Sequence, residues 1–343
     1  MTGPARPERV AENLNRALHE ILRDDPAAVL LGEDVADPYG GAFKITRGLS
    51  SRFPDRVLNT PLSEGGFAGV ASGIALRGGA AIVEMMFSDF VTLAFDQIVN
   101  FAAKSVSMYG RRLPMRLVVR CPTGGGRGYG PTHSQSLQKH FLGVPHLHLA
   151  EASAFHDNTA LLPQLLRRGE PCLLFEDKTL YPQRVHTGGV VDDLFRFDFL
   201  DEERLLARAY VDGVPRDGCD CLIIAPGGVA ARALAAARRL FLDQELVCQV
   251  VVPFQLYPFD VAPLLDLAAA AQHVLIAEES TPGGTWGGEV AADLHERAWG
   301  RLRRPVLRLT SLDSVIPAAV HLERRVLLQE TTIHDTIREA AGA

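Results

Sequence analysis

Short, nearly unbroken apolar runs recur along the chain. They alternate with segments whose apolar positions return every three or four residues. The runs at 28–31, 81–83, 116–120, 172–175, 221–225, 248–252, 273–277 and 306–309 predict β-strands. Several lack the alternation of a half-exposed strand, as expected where a parallel sheet is covered on both faces. Phe90, Leu93, Ala94, Ile98 and Phe101 predict a helix over 89–105, and VAARALAAARRLFLD predicts another over 229–243. Alternation of this kind implies an α/β fold built on parallel sheets. Residues 182–218 are acidic, interrupted by Gly and Pro, and less periodic. They divide the chain into an expected domain over 1–185, a linker over 186–215 and a second domain over 216–343.

Composition narrows the class. A chain of 343 residues suits two domains, each able to bury a core. The formal charge of −6, with no basic tract, argues against a nucleic-acid binder. No apolar run approaches the ~20 residues of a membrane span. The opening MTGPARPERVAENLNRALHE lacks the apolar core of a signal peptide, so a cytoplasmic location is expected. Cys121, Cys172, Cys219, Cys221 and Cys248 are odd in number and mostly flank apolar runs, which predicts buried, reduced thiols.

Candidate chemistry concentrates in two glycine-rich stretches. Residues 59–79, NTPLSEGGFAGVASGIALRGG, place Glu64 directly before an apolar stripe of Phe67, Val70, Ala71, Ile74 and Ala75. No P-loop or dinucleotide fingerprint is present. Ser63 is a candidate N-cap, so Glu64 reads either as a first-turn charge complementing the helix dipole or as a catalytic-site carboxylate. The glycines weaken such a helix by about 1 kcal/mol each, which suggests the close approach of another backbone or a ligand. Residues 122–136, PTGGGRGYGPTHSQS, follow a predicted strand and read as a mobile loop carrying His133, a side chain suited to proton transfer. No serine has the surround of a nucleophile elbow. The zinc motif H-E-x-x-H is missing, and His146 and His148 read as two histidines on one strand face. Glu33-Asp34 and Glu278-Glu279 each follow an apolar strand, where open α/β sheets place their sites.

These features occur in a recognisable order. LGEDV (31–35), GGAFKITRGL (40–49), RVLNTPLSEGGFAGVASGIAL (56–76), VEMMFSDFVTLAFDQIVNFAAK (83–104), THSQS (132–136) and FEDKTLYP (175–182) lie in the first part of the chain. LYPFD (256–260), EESTPGGTWGGEVA (278–291) and PVLRLTSLDSVIP (305–317) lie in the second. The chain resembles the β subunit of the thiamine diphosphate-dependent E1 component of 2-oxo acid dehydrogenases, within the transketolase-like superfamily.

The resemblance implies an α/β pyrimidine-binding domain with a helix-flanked parallel sheet, then a transketolase C-terminal-like α/β domain. It implies thiamine diphosphate as cofactor, with Glu64 hydrogen-bonded to N1′ of the aminopyrimidine and promoting loss of the C2 proton. Phe90 is then the aromatic that stacks on the ring, with Leu62 and Met86 as apolar neighbours. His133 handles the intermediate and its acyl transfer, and Glu33 is an acid near a subunit interface. The superfamily's GDG motif for Mg²⁺ and diphosphate is absent. The resemblance assigns it to an α subunit, giving an α2β2 assembly that serves a lipoyl-bearing acyltransferase and a 2-oxo acid substrate. No metal ligand falls on this chain. Gln138 and Gly143 replace a glutamate and a histidine usual in the family, and Val252 and Phe254 stand where an acid and an arginine are common. These departures touch the acceptor step. The alternatives are a carboligase or transketolase-like subunit using a carbonyl acceptor, and a non-catalytic partner that retains the fold.

Overall fold

The computed structural model describes residues 8–342. Packing divides them into two units: one runs to Thr123 and resumes at His140–Val185, the other comprises Gly124–Lys139 and the chain from His186 onward.

In the first unit, strands β1 (Ala28–Gly32), β2 (Val57–Asn59), β3 (Ala80–Glu84), β4 (Leu117–Thr123), β5 (His148–Glu151) and β6 (Cys172–Asp177) lie in the order β5-β6-β4-β3-β1-β2. All neighbours among these six run parallel. Every residue of β3, β4 and β6 is buried, which accounts for their unbroken apolar sequences. Helices α1 (Val10–Asp24), α2 (Leu49–Arg52), α3 (Glu64–Leu76) and α4 (Asn158–Arg167) accompany the sheet. The chain passes from β1 to β2 on one side and then to β3 on the other. The strand order thus reverses at β1, and the ends of β1 and β3 border the crevice where such sheets bind ligands.

The second unit contains β7 (Phe195–Phe199), β8 (Leu206–Val211), β9 (Cys221–Ile224), β10 (Cys248–Pro253), β11 (Gln255–Tyr257), β12 (His273–Ala277) and β13 (Leu307–Leu309). Its sheet has the order β13-β12-β9-β10-β8-β7. The first four strands of that order are parallel, and β8 and β7 are antiparallel additions. Helices α5 (Val229–Gln244), α6 (Leu265–Ala270), α7 (Trp286–Ala298), α8 (Val320–Val326) and α9 (Glu330–Ala341) complete it.

The structure corrects three expectations. Residues 186–215 are not simply a linker, because the β7–β8 hairpin lies within them and pairs with β10. Their acidic character is structural. Asp198 pairs across the hairpin with Arg208 at 2.6 Å, and Asp201 accepts the backbone N–H groups of Leu205 and Leu206. Residues 89–105 are not one α-helix but a 3₁₀ segment, Ser88–Ala94, followed by a π-helical segment, Gln97–Ala103. This segment lies close against α3: a Cβ on Gly65 would stand 3.1 Å from the Leu93 carbonyl, and one on Gly69 3.0 Å from Gln97 Oε1. His146 and His148 do not share a strand face, since β5 begins at His148 and His146 takes a left-handed φ of 61°. Both rings still reach one carboxylate, Glu170, at 3.1 and 2.7 Å. The thiols are free as expected, and Cys219 alone of the five is only partly buried.

Candidate active site

The first unit brings two acids together at the reversal point. Glu33 leaves the end of β1, and Glu64 opens α3. The intervening NTPLS loop is tied back to β1 by the Thr60 N–H on the Gly32 carbonyl at 3.0 Å and by Asn59 Oδ1 accepting from Ala36 N–H at 2.9 Å. Glu33 is 6 % exposed and Glu64 9 %. Burial first, then the adjacent charges of Glu64 and Asp34, push the Glu33 carboxyl above the usual carboxylate range. Glu33 Oε1 is buried without a hydrogen-bond partner. Such an atom normally costs stability and is uncommon in a folded interior.

The other expected site residues of this unit differ in setting. Leu62 is 83 % exposed on the loop. Met86 lies half-buried just past β3. Phe90, also half-buried, meets Phe87 edge-on with centroids 6.1 Å apart. Phe87 continues edge-on to Phe43 at 5.6 Å, and Phe43 reaches the Tyr181 ring at 5.2 Å.

A network that the sequence did not single out lies beside this aromatic group. Arg120, fully buried in β4, donates to Glu84 at 2.5 Å and with two nitrogens to Glu176 at 2.7 and 2.9 Å. The Tyr181 hydroxyl donates to Glu176 at 2.9 Å. Burial works against the Arg120 charge, but Glu176 and Glu84 outweigh it and raise its pKa. Burial likewise raises the Glu84 carboxyl, against the pull of Arg120. Gly41, at φ +79°, leaves no room for a Cβ beside the Glu84 carboxylate, so the GGAFK loop closes directly over the network. The available signal was an arginine inside an apolar strand, directly opposite Glu84 in the β3–β4 register.

His133 belongs to the second unit. Its Nδ1 lies 3.0 Å from Thr132 Oγ1, and its backbone N–H reaches the Gly130 carbonyl at 3.4 Å. The glycine-rich segment that carries it is anchored, contrary to the mobile loop expected. Gly125 N–H donates to Glu279 Oε1 at 2.8 Å, and Gly126 and Gly128 N–H donate to Glu323 at 2.9 and 3.0 Å. Lys139, at the segment's far end, donates to Thr281 Oγ1 at 2.8 Å and the Thr281 carbonyl at 3.0 Å. Of the acid pair Glu278-Glu279, Glu278 instead caps α7 by accepting the Gly287 N–H at 2.7 Å. The departures at 138 and 143 also have a local form: Gln138 begins a 3₁₀ turn, and Gly143 adopts φ +75°, a backbone that disfavours a histidine there.

Comparison with known proteins extends this picture. Residues 9–184 match the transketolase pyrimidine-binding domain, and residues 212–333 match the transketolase C-terminal domain. The pyruvate dehydrogenase E1 component subunit beta of Leifsonia xyli is 34 % identical over 89 % of this chain and 87 % of its own length. The 2-oxoisovalerate dehydrogenase subunit beta 2 of Arabidopsis thaliana, a mitochondrial protein, is 33 % identical over 89 % and 81 %. The acetoin:2,6-dichlorophenolindophenol oxidoreductase subunit beta of Cupriavidus necator is 30 % identical over 90 % of each chain. Among solved structures, a split-gene transketolase in an inactive β4 tetramer superposes with a TM-score of 0.71 at 20 % identity, covering 98 % of this chain and 99 % of that one, a likeness of fold. With both domains matched in order and relatives of this similarity along nearly its full length, the chain belongs to the transketolase-like family of E1 β subunits of 2-oxo acid dehydrogenases.

Proposed function

We propose that this chain is the β subunit of a thiamine diphosphate-dependent enzyme that decarboxylates a 2-oxo acid and passes the acyl unit to a lipoyl group. The observation that carries this reading is the buried Glu33–Glu64 pair at the end of β1 and the start of α3, in a unit that also leaves Met86 and Phe90 half-buried. A carboxylate beside apolar and aromatic side chains suits a flat aminopyrimidine, which needs one charged hydrogen-bond partner and an apolar wall. Glu64 would hold N1′ and Phe90 would stack, with Leu62 and Met86 completing the wall. When bound, the cofactor supplies the electron sink for decarboxylation. Glu64 contributes a charge-assisted hydrogen bond that favours the protonated ring nitrogen. Glu33, raised chiefly by burial and then by the neighbouring charge of Glu64, holds a proton beside it more readily than an ordinary carboxylate. His133 serves acyl transfer.

Mg²⁺ and the diphosphate end are assigned to an α subunit bearing the GDG motif, in an α2β2 assembly. Exposed Leu62, Val70 and Leu93 in the first unit support the need for a covering partner. No helix among the described residues is long and apolar enough to cross a membrane. The free cysteines favour a reducing compartment, read here as the cytoplasm.

The test is co-purification with a GDG-bearing partner, followed by thiamine diphosphate titration and dye-coupled oxidation of a panel of 2-oxo acids. The complex should bind the cofactor and oxidise at least one 2-oxo acid, and this chain alone should do neither. A stable complex that binds no cofactor would refute the reading.

A further inference from the structure

The segment from Gly124 to Gly130 is built like an anion site. Gly124, Gly126, Gly128 and Gly130 all have φ between +69° and +82°, whereas the residues between them keep negative φ. Alternation of this sort turns successive backbone N–H groups toward a common side, a concavity that ordinarily receives a phosphate or another anion. In this chain the anion is internal. Glu323 of α8, 1 % exposed, offers one oxygen to Gly126 N–H and the other to Gly128 N–H. Glu279, just past β12, accepts Gly125 N–H and is itself fixed by Arg232 of α5 at 2.6 Å. The fit leaves no slack: a Cβ on Gly125 would collide with Leu327, and one on Gly128 would lie 3.1 Å from the Ala318 carbonyl. Three residues beyond Gly130 stands His133, whose own N–H reaches back to the Gly130 carbonyl.

We propose that Glu323 and Glu279 are positioning residues for His133, their carboxylates filling the N–H concavity of Gly124–Gly130 and so fixing the segment that carries the histidine. The histidine's role in acyl transfer rests on the function proposed above; the anchoring does not.

Two measurements separate them. Arg127 is exposed between the two N–H groups that Glu323 holds, so tryptic cleavage after Arg127 reports release of the segment without cofactor or substrate. Glu323→Gln keeps the shape but presents an amide NH2 to one of two N–H donors. In the full chain it should speed cleavage after Arg127 by about 10-fold, because cleavage tracks local opening. In the assembled enzyme, acyl transfer to lipoamide should fall by about 10- to 100-fold while dye-coupled decarboxylation changes about twofold at most, since small displacements of a reacting group weigh heavily on its own step. Glu323→Asp, which restores charge and both acceptors, should recover part of the loss. Glu279→Gln, which disturbs the Gly125 contact and the Arg232 ion pair but leaves both Glu323 contacts in place, should show the same pattern more weakly and serves where Glu323→Gln does not fold. Cleavage at the wild-type rate in these variants would overturn the anchoring, and equal loss in both half-reactions would overturn the positioning role. A wild-type complex that transfers nothing to lipoamide refutes the function proposed above, while the proteolysis still decides whether Glu323 holds the segment.

Discussion

Glu33, just past β1, and Glu64, in the first turn of α3, are both buried, and after burial itself the charge of Glu64 is what most raises the Glu33 carboxyl. Glu64→Gln in the assembled enzyme should slow exchange of the cofactor's C2 proton by a factor of about 10² to 10⁴. Proton NMR of quenched samples measures this directly, and an unchanged exchange rate would remove Glu64 from the assigned role.

Glu33 makes the opposite prediction for stability. Its carboxyl is raised in the folded chain, so the native state binds a proton more tightly than the unfolded state does. Stability must then fall as pH rises from the ordinary carboxylate range through the raised value, and level off above it. Glu33→Gln should remove this slope and stabilise the chain, most clearly at neutral pH. Thermal unfolding of both proteins across pH 4–8 checks the sign; parallel curves would contradict the shift.

Arg120 sits between two buried acids, and its loss strands both. Arg120→Met should destabilise the first unit by about 3–5 kcal/mol, the cost of leaving buried charge without its partner. Denaturant unfolding gives the number, and a loss under about 1 kcal/mol, as for an exposed pair, would show the network to be solvated.

His133→Ala should divide the reaction. Acyl transfer to lipoamide should fall by about 10² or more, the usual contribution of a placed acid or base, with a smaller effect on dye-coupled decarboxylation. Pre-steady-state measurement of the two half-reactions distinguishes this from a general loss, and equal losses would end the assignment.

Gly41→Ala tests the loop that closes over Glu84. The backbone at φ +79° disfavours any Cβ, and the carboxylate leaves no space for one. A destabilisation of about 1–3 kcal/mol is expected, readable as a lowered Tm.

The apolar strands were legible because burial on both faces writes an unbroken signal. The run Cys172–Phe175, for example, extends in the structure only to Asp177. The β7–β8 hairpin was not, because Asp198 and Asp201 look like solvated linker charges until their partners across the hairpin and in its turn are known. The segment after Phe87 kept helical spacing in sequence, yet it is wound as 3₁₀ and π segments against the glycines of α3, which spacing does not encode. Glu64 stood out through its glycines. Arg120, Glu279 and Glu323 act through partners distant in sequence, and a single chain of letters does not disclose such pairings.

The carboxylate of Glu323 also competes. Any free anion that sought the Gly126 and Gly128 N–H groups would have to displace a ligand tethered to the same chain, present at an effective concentration of about millimolar or above. A free anion would have to bind those donors more tightly than the carboxylate that already fills both of them. The glycine run that by composition most invites a diphosphate is thus occupied from within by a carboxylate of its own chain.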